Sequence, residues 1–403
     1  MGKKRARGEG SIRPRKDREG YEARLTVGYN EKGRQVQKSI YGETKEEVAK
    51  RLAAKRVELE NITIKGIKRP VIKGRMKLKQ WLQIWLETYS NPTISDSTYT
   101  SYEGYIYNHL IPKLGECYLD ELTGDHIQQF FNGLLTDETR KRKIGVKTLR
   151  NLRNMFSMTL KQAVQFDLMY KNPVEAASIP KAVKKPIEVL HPADHKSLFS
   201  VIDDDRLGFA IYLALATGMR VGEICALSER DFDIESKFLY VRKTVKRKTA
   251  KKKDLEKDPS LLKTRLEIQP FPKTSSSVRS IPLHDKVIEK YNQHMKRLQE
   301  EREIVKVEEQ YKNQIFISPN GKVCEPDYVT AIFGRILKKI GTQHINFHAL
   351  RHTFATRSLE AGMDIKTLST ILGHADVQIT MNTYCHVLDT HKQKAMELTG
   401  AWL

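Results

Sequence analysis

The sequence predicts a multi-domain, mainly α chain with small β-sheets, and three observations carry that prediction. The first 74 residues alternate short extended runs with turn-forming clusters. From Lys77 onward the apolar spacing becomes helical through four consecutive stretches. Beyond a second Pro- and Lys-rich connection, helices and short strands interleave to the end. The expected architecture is an N-terminal three-stranded sheet plus helix, then a four-helix domain, then a large α+β domain.

The N-terminal runs fall near Ser11–Arg15, Tyr21–Tyr29 and Gln35–Tyr41, with Asp17–Gly20 and Asn30–Gly33 supplying turn chemistry between them. Thr44 is placed to cap a helix, with Glu47 three residues on completing a capping box. A flexible basic tail is the competing reading of this segment. Gly66–Gly74 reads as a linker. Leu78, Trp81, Leu82, Trp85 and Leu86 then form one apolar stripe, ended by Asn91-Pro92. A second helix is expected from Ser95 to Leu110, stopped by Pro112, a third over Thr123–Leu135 and a fourth over Val146–Phe166. Pro173, Pro180 and Lys181–Pro186 mark the next linker. After it, helices are expected at Asp194–Ile202, Leu207–Thr217 and Arg220–Leu227, and strands at Phe238–Lys243, Leu266–Phe271 and Ser277–Pro282.

Charge narrows the function class. The chain has 71 Lys and Arg against 49 Asp and Glu, a formal net charge of +22 over 403 residues. The first 74 residues alone hold 21 basic and 10 acidic side chains. Such an excess points to a polyanion, nucleic acid before an anionic membrane surface. No apolar run approaches the roughly 18–20 residues of a membrane span, and the basic N-terminus lacks a signal-peptide core, so a cytoplasmic protein is expected. Cys117, Cys225, Cys324 and Cys385 show no CxxC spacing, which argues against a zinc ribbon or a disulfide framework. Arg242–Lys253 carries eight basic residues and no acid, and reads either as a solvated run or as a phosphate-contacting insertion.

Several residues stand out chemically. In Thr217-Gly-Met-Arg220-Val-Gly-Glu223, an arginine follows a helix-breaking glycine amid strong hydrophobicity. Arg220 is therefore expected to be partly buried, with Glu223 as its partner and a fork suited to two phosphate oxygens. His348 and Arg351 lie one helical turn apart and share a face. His344, His348 and His352 are each four apart, a chelating spacing, but the cation Arg351 stands where a zinc helix carries a glutamate, so no metal is expected. Leu372-Gly-His374 follows, and Tyr384 lies ten residues further. A tyrosine among cationic donors is what attack on a phosphodiester needs.

In this order, Ala-Thr-Gly-Met-Arg220-Val-Gly-Glu223, Pro-Lys273-Thr, His348-x-x-Arg351, Leu-Gly-His374 and Tyr384 resemble the tyrosine recombinase (integrase) family. The layout is most similar to integrases of conjugative transposons with an N-terminal arm-binding domain. The resemblance implies an arm-type DNA-binding domain over residues 1–66, a core-binding, SAM-like helical domain over 76–180 and a catalytic α+β domain over 189–403. It also implies roles for the residues. Tyr384 is the nucleophile that forms a 3′-phosphotyrosine, and Arg220 and Arg351 clamp the non-bridging oxygens. Lys273 protonates the leaving 5′-oxygen, with Lys263 the alternative. His348 assists proton transfer, His374 hydrogen-bonds the phosphate, and Glu223 positions a neighbouring side chain.

The implied activity is metal- and ATP-independent DNA strand breakage and rejoining through a Holliday junction, integrating and excising a mobile element without a cofactor. The implied partners are double-stranded DNA at core and arm sites, a homo-tetramer on that DNA, an excisionase and a DNA-bending host protein; the implied location is cytoplasmic, with the nucleoid. Apolar Leu398, Trp402 and Leu403 after the tyrosine are read as packing either on their own domain or on a neighbouring subunit. A DNA-binding regulator that never cuts is the rival reading, and it would not need both arginines, both histidines and the tyrosine. A chromosome-dimer resolving recombinase, the rival within the enzyme class, would lack the basic sheet-forming segment.

Overall fold

Residues 12–15, 19–29, 35–60, 75–138, 143–181, 186–270, 278–384 and 396 are described by the computed structural model. The chain divides into two compact units, one of Met1–Glu87 with Ile106–Ser178 and one of Thr88–Tyr105 with Ile179–Leu403. Lys273, Cys385 and the apolar tail residues Leu398, Trp402 and Leu403 lie outside the described residues. No described helix is long and apolar enough to cross a membrane.

The first unit begins with β1 (Ile12–Pro14), β2 (Tyr21–Tyr29) and β3 (Gln35–Gly42), an antiparallel sheet in that order, with an irregularity in register between Thr26 and Gly28. Helix α1 (Lys45–Glu60) covers it, and Ala23, Val48 and Leu52 form the small core between them. The expected helix start is present with one change. The Thr44 hydroxyl accepts from the Glu47 N–H at 3.2 Å, but the Glu47 carboxylate accepts from the N–H of Glu43, one residue before Thr44.

The helical stretches follow as α2 (Leu78–Ile84), α3 (Asp96–Tyr105), α4 (Ile111–Leu114), α5 (Gly124–Thr136) and α6 (Val146–Gln165). The stripe along α2 and the π turn that continues it (Trp85–Ser90) is buried, and it is pinned to α6: the Trp81 indole N–H donates to the Thr159 carbonyl at 3.0 Å, and that of Trp85 to Gln162 Oε1 at 2.9 Å. Phe131 on α5 and Leu149, Leu152, Phe156 and Leu160 on α6 are sealed from solvent. Each such side chain stabilises the unit by about 1.5–3 kcal/mol before entropy is counted. Two expectations change here. Pro112 does not stop the second helix, because a wider π turn over Ile106–Leu110 places it in the first turn of α4, where a missing N–H costs little. And α3 belongs with the second unit rather than with α2, α4, α5 and α6.

The second unit is α+β. Its helices are α7 (Pro192–Ile202), α8 (Gly208–Thr217), α9 (Val221–Cys225), α10 (Lys252–Lys257), α11 (Asp285–Ile304), α12 (Pro326–Lys339), α13 (His348–Glu360) and α14 (Ile365–Leu372). Its strands are β4 (Phe232–Asp233), β5 (Phe238–Val241), β6 (Lys243–Thr249), β7 (Thr264–Pro270) and β8 (Arg279–Pro282). They form two antiparallel sheets, ordered β4-β5-β8 and β6-β7. Helix α8 is apolar all round, so it is central, and Ile211, Leu213 and Ala214 have no exposed surface.

The basic run proves to be ordered over most of its length. Lys243–Thr249 is a strand, paired residue for residue with Thr264–Pro270. Its cations meet acids from elsewhere in the unit: Lys248 Nζ lies 2.8 Å from Asp96, and Arg247 pairs with Glu325. Lys251 Nζ donates to Asn91 Oδ1 at 2.8 Å and stands 4.5 Å from the centre of the Tyr99 ring. The reading of a solvated run is therefore corrected for these residues.

Candidate active site

The turn after α8 founds the site. Gly218 ends the helix in the left-handed region, φ +65°, and a Cβ there would come within 2.5 Å of the Phe354 ring. Only glycine fits both constraints. Two residues later Arg220 caps α9 with extended backbone. Its N–H donates to Glu223 Oε2 at 3.0 Å and its guanidinium to Glu223 Oε1 at 2.7 Å. The Arg220 side chain keeps 41% of its surface exposed, while Glu223 keeps 1%.

Glu223 also takes a bond that sequence reasoning missed. Arg279, at the start of β8, donates Nη2–H to Glu223 Oε2 at 2.7 Å and Nε–H to the Ile371 carbonyl at 2.6 Å. Burial alone would raise the Glu223 carboxyl, but the charges of Arg279 and then Arg220 overcome it and hold the group below the usual carboxylate range. One sealed carboxylate thus ties the half-open Arg220 to a buried arginine behind it.

Helix α13 supplies three residues of the site. Arg351 is 2% exposed and donates Nη1–H to the Gly218 carbonyl and Nη2–H to the Leu372 carbonyl, both at 2.8 Å. Its pKa is pushed down to about 9, by burial first and then by Arg220. That setting favours an anion, whose charge would relieve it. The His348 and His352 rings lie edge to face with centroids 4.8 Å apart, as their four-residue spacing dictates. His348, at the first position of the helix, is still open to solvent. Its ring is shifted toward the neutral form by partial burial, then by His352 and Arg351.

Helix α14 ends at Gly373, again left-handed at φ +67°, which turns His374 back toward Arg351. His374 Nε2 lies 2.8 Å from Arg351 Nη2, and its Nδ1 lies 2.8 Å from the hydroxyl of buried Thr380. A guanidinium can only donate, so Nε2 accepts and Nδ1 carries the proton toward Thr380. The ring is neutral in this arrangement, consistent with a pKa lowered to about 4 by burial, then Arg351 and Arg220. To donate from Nε2 to a phosphate, His374 must release Arg351 and gain a proton there, by protonation or a change of tautomer.

Tyr384 is 1% exposed and packs against Ala355, Leu359, Leu368 and Leu372. Its pKa is pushed up to about 12 by burial, which Arg351 only partly offsets. Its hydroxyl lies 2.7 Å from His352 Nδ1. Of the residues singled out from sequence, the fold brings Arg220, Glu223, His348, Arg351, His374 and Tyr384 into one linked cluster. Sequence reasoning weighed His352 only as a metal ligand. Its place one turn beyond His348 and directly after Arg351 puts it near the site, but nothing in that spacing points to the tyrosine. No group of acids, histidines and cysteines suited to a metal ion occurs among the described residues.

The chain belongs to the phage integrase family, whose model matches residues 188–391; the model of the phage integrase N-terminal SAM-like domain matches residues 77–135. It is a tyrosine-type site-specific recombinase. A tyrosine recombinase XerC-like protein of Caldanaerobacter subterraneus subsp. tengcongensis is 29% identical over 392 residues, covering 94% of this chain and 95% of that protein. Among solved structures, the Tn1549 transposon integrase in complex with a circular intermediate DNA superposes with a TM-score of 0.64 at 24% identity, over 80% of this chain and 99% of that one. The lambda integrase tetramer bound to a Holliday junction gives 0.52 at 18% identity, over 90% and 95%.

Proposed function

We propose that this recombinase integrates and excises a mobile element, cutting each strand through a covalent 3′-phosphotyrosine on Tyr384. The observation that carries this is the Arg351 setting: a buried cation beside Arg220 and near Tyr384, its charge only partly offset by Glu223, so that an anion is favoured there. A DNA binder that never cuts would have no use for that arrangement.

Arg220 and Arg351 hold the two non-bridging oxygens of the scissile phosphate. The Tyr384 oxygen forms a bond to phosphorus, the bond from phosphorus to the 5′-oxygen breaks, and the 5′-oxygen takes a proton from Lys273. The pentacoordinate phosphorane gains more from the preorganised cations than the ground-state diester does, which is where the rate comes from. His374 joins the phosphate once Nε2 has left Arg351 and carries a proton to donate to oxygen. Glu223 and Arg279 keep Arg220 aimed. The phosphodiester energy stays in the tyrosyl ester, so rejoining reverses the same steps on another strand without ATP.

Residues 1–66 read as the arm-site domain, 76–180 as the core-binding domain and 189–403 as the catalytic domain. Together they act on duplex DNA as a homo-tetramer passing through a Holliday junction, with an excisionase and a DNA-bending host protein as accessory partners. The work takes place in the cytoplasm, on the nucleoid. The net charge of +22 supports a polyanionic partner.

The test is covalent trapping on a nicked suicide duplex bearing the element's own core site. The wild-type chain is expected to give a protein–DNA adduct, and Tyr384→Phe to bind the duplex without forming one. An adduct formed by Tyr384→Phe would sink the assignment.

A further inference from the structure

We propose that His352 is the proton acceptor for the Tyr384 nucleophile, taking the phenolic proton at Nδ1 as the bond from oxygen to phosphorus forms and returning it on rejoining. This rests on the recombinase reading above and goes beyond it, since the resemblance gives His348 a part in proton transfer without saying which group takes the phenolic proton.

The geometry carries the inference. Nδ1 of His352 stands 2.7 Å from the Tyr384 hydroxyl, within reach for direct transfer. The structure gives the hydroxyl no hydrogen bond to His348, Arg220, Arg351 or His374. His348 contacts the His352 ring rather than the tyrosine, and His374 has both ring nitrogens occupied, by Arg351 and Thr380. Among the described residues, His352 is therefore the histidine whose lone pair can meet the phenol.

Electrostatics agrees with this. Burial and the adjacent Arg351 favour the neutral imidazole, the form able to accept a proton. The phenol is harder to ionise than usual, so free phenolate is scarce and attack benefits from concerted removal of the proton. A weak base suffices, because the tyrosine oxygen becomes strongly acidic as it bonds to phosphorus. The balance closes: the proton moves from Oη to Nδ1, the oxygen electron pair forms the new bond to phosphorus, and the departing 5′-oxygen is protonated separately.

The experiment uses full-length His352→Ala and His352→Gln, with wild type and Tyr384→Phe in parallel, on the same suicide duplex. A second duplex carries sulfur in place of the 5′-bridging oxygen. A thiolate leaves without protonation, so that duplex bypasses any defect at the leaving group. Both histidine variants are expected to bind DNA normally but to form adduct about 10²–10⁴-fold more slowly. The sulfur duplex should not restore the rate, whereas added imidazole should partly restore His352→Ala.

Two results would overturn the proposal: restoration by the sulfur substrate, or near wild-type cleavage by either variant, which for His352→Gln would mean that a hydrogen bond alone is needed. If His352→Ala does not fold, the glutamine variant decides alone, since it keeps a polar group of similar reach. Failure of wild type to form adduct, or its formation by Tyr384→Phe, would instead remove the underlying recombinase reading.

Discussion

Glu223 and Arg279 meet at 2.7 Å with only 1% and 3% of their side chains exposed. Such a pair is held by its mutual bonds, and removing one member leaves a charge stranded in the interior. Arg279→Ala is therefore expected to cost about 3–5 kcal/mol of folding stability, measured by urea denaturation. Cleavage should fall as well, because Glu223 would lose the support that fixes it behind Arg220. An unchanged urea midpoint would show that the pair contributes little.

Gly218→Ala tests the turn. The left-handed backbone costs about 1–2 kcal/mol for a residue with a Cβ, and the clash with Phe354 and Leu372 adds about 1–3 kcal/mol. Calorimetry should show a clearly lowered melting temperature. Gly133, whose added Cβ would meet nothing within 4 Å, is the control, and its alanine variant should melt at or above the wild-type temperature.

Stability should fall between neutral pH and pH 5. His374 and buried His294 both have pKa values lowered to about 4 by burial first, from an ordinary value near 6.5. Between those limits the unfolded chain binds protons that the folded chain refuses, so acidification favours unfolding across that window. Glu223 acts lower down: its depressed carboxyl supports the fold above about pH 4.5 and loses that contribution as pH falls further. Thermal melts at pH 5 and pH 7 check the first point, and His374→Gln should flatten the difference. Equal melting temperatures at both pH values would count against it.

The two lysine assignments separate on the sulfur-substituted duplex. Lys273→Ala should be slow on the ordinary substrate and recover on the 5′-thiolate one, as a leaving-group acid must. Lys263→Ala should be near wild type on both. The reverse pattern would move the role to Lys263, which is exposed just before β7.

Deleting residues 1–66 should abolish footprints at distal arm sites while core-site cleavage stays detectable. Persistent arm-site protection would place that binding elsewhere in the chain.

Much of this was legible in the sequence because periodicity reports burial. The stripe from Leu78 to Leu86 and the shared face of His348 and Arg351 follow from 3.6 residues per turn. Gly218 announced a helix end. Strand β6 was hidden, because Lys243–Thr249 is held by backbone pairing to β7 and by acids far away in sequence rather than by apolar alternation. Pro112 misled because a π turn shifted the register ahead of it. Arg279 and His352 were missed because their partners come from distant segments. Sequence spacing cannot reveal that a β8 arginine reaches an α9 carboxylate, or that a helix C-terminal to both presents its second histidine to the tyrosine.

The carbonyl of Gly218 receives Arg351 from 133 positions away, and the same short turn launches Arg220. The gap between the two cationic forks is thus gauged by main chain, the least compliant material available, and not by two independently wandering side chains. An anion that reached both forks would meet a jig of fixed width. Any displacement of that turn shifts both jaws in unison, so the site can be carried bodily from place to place without its calibration changing.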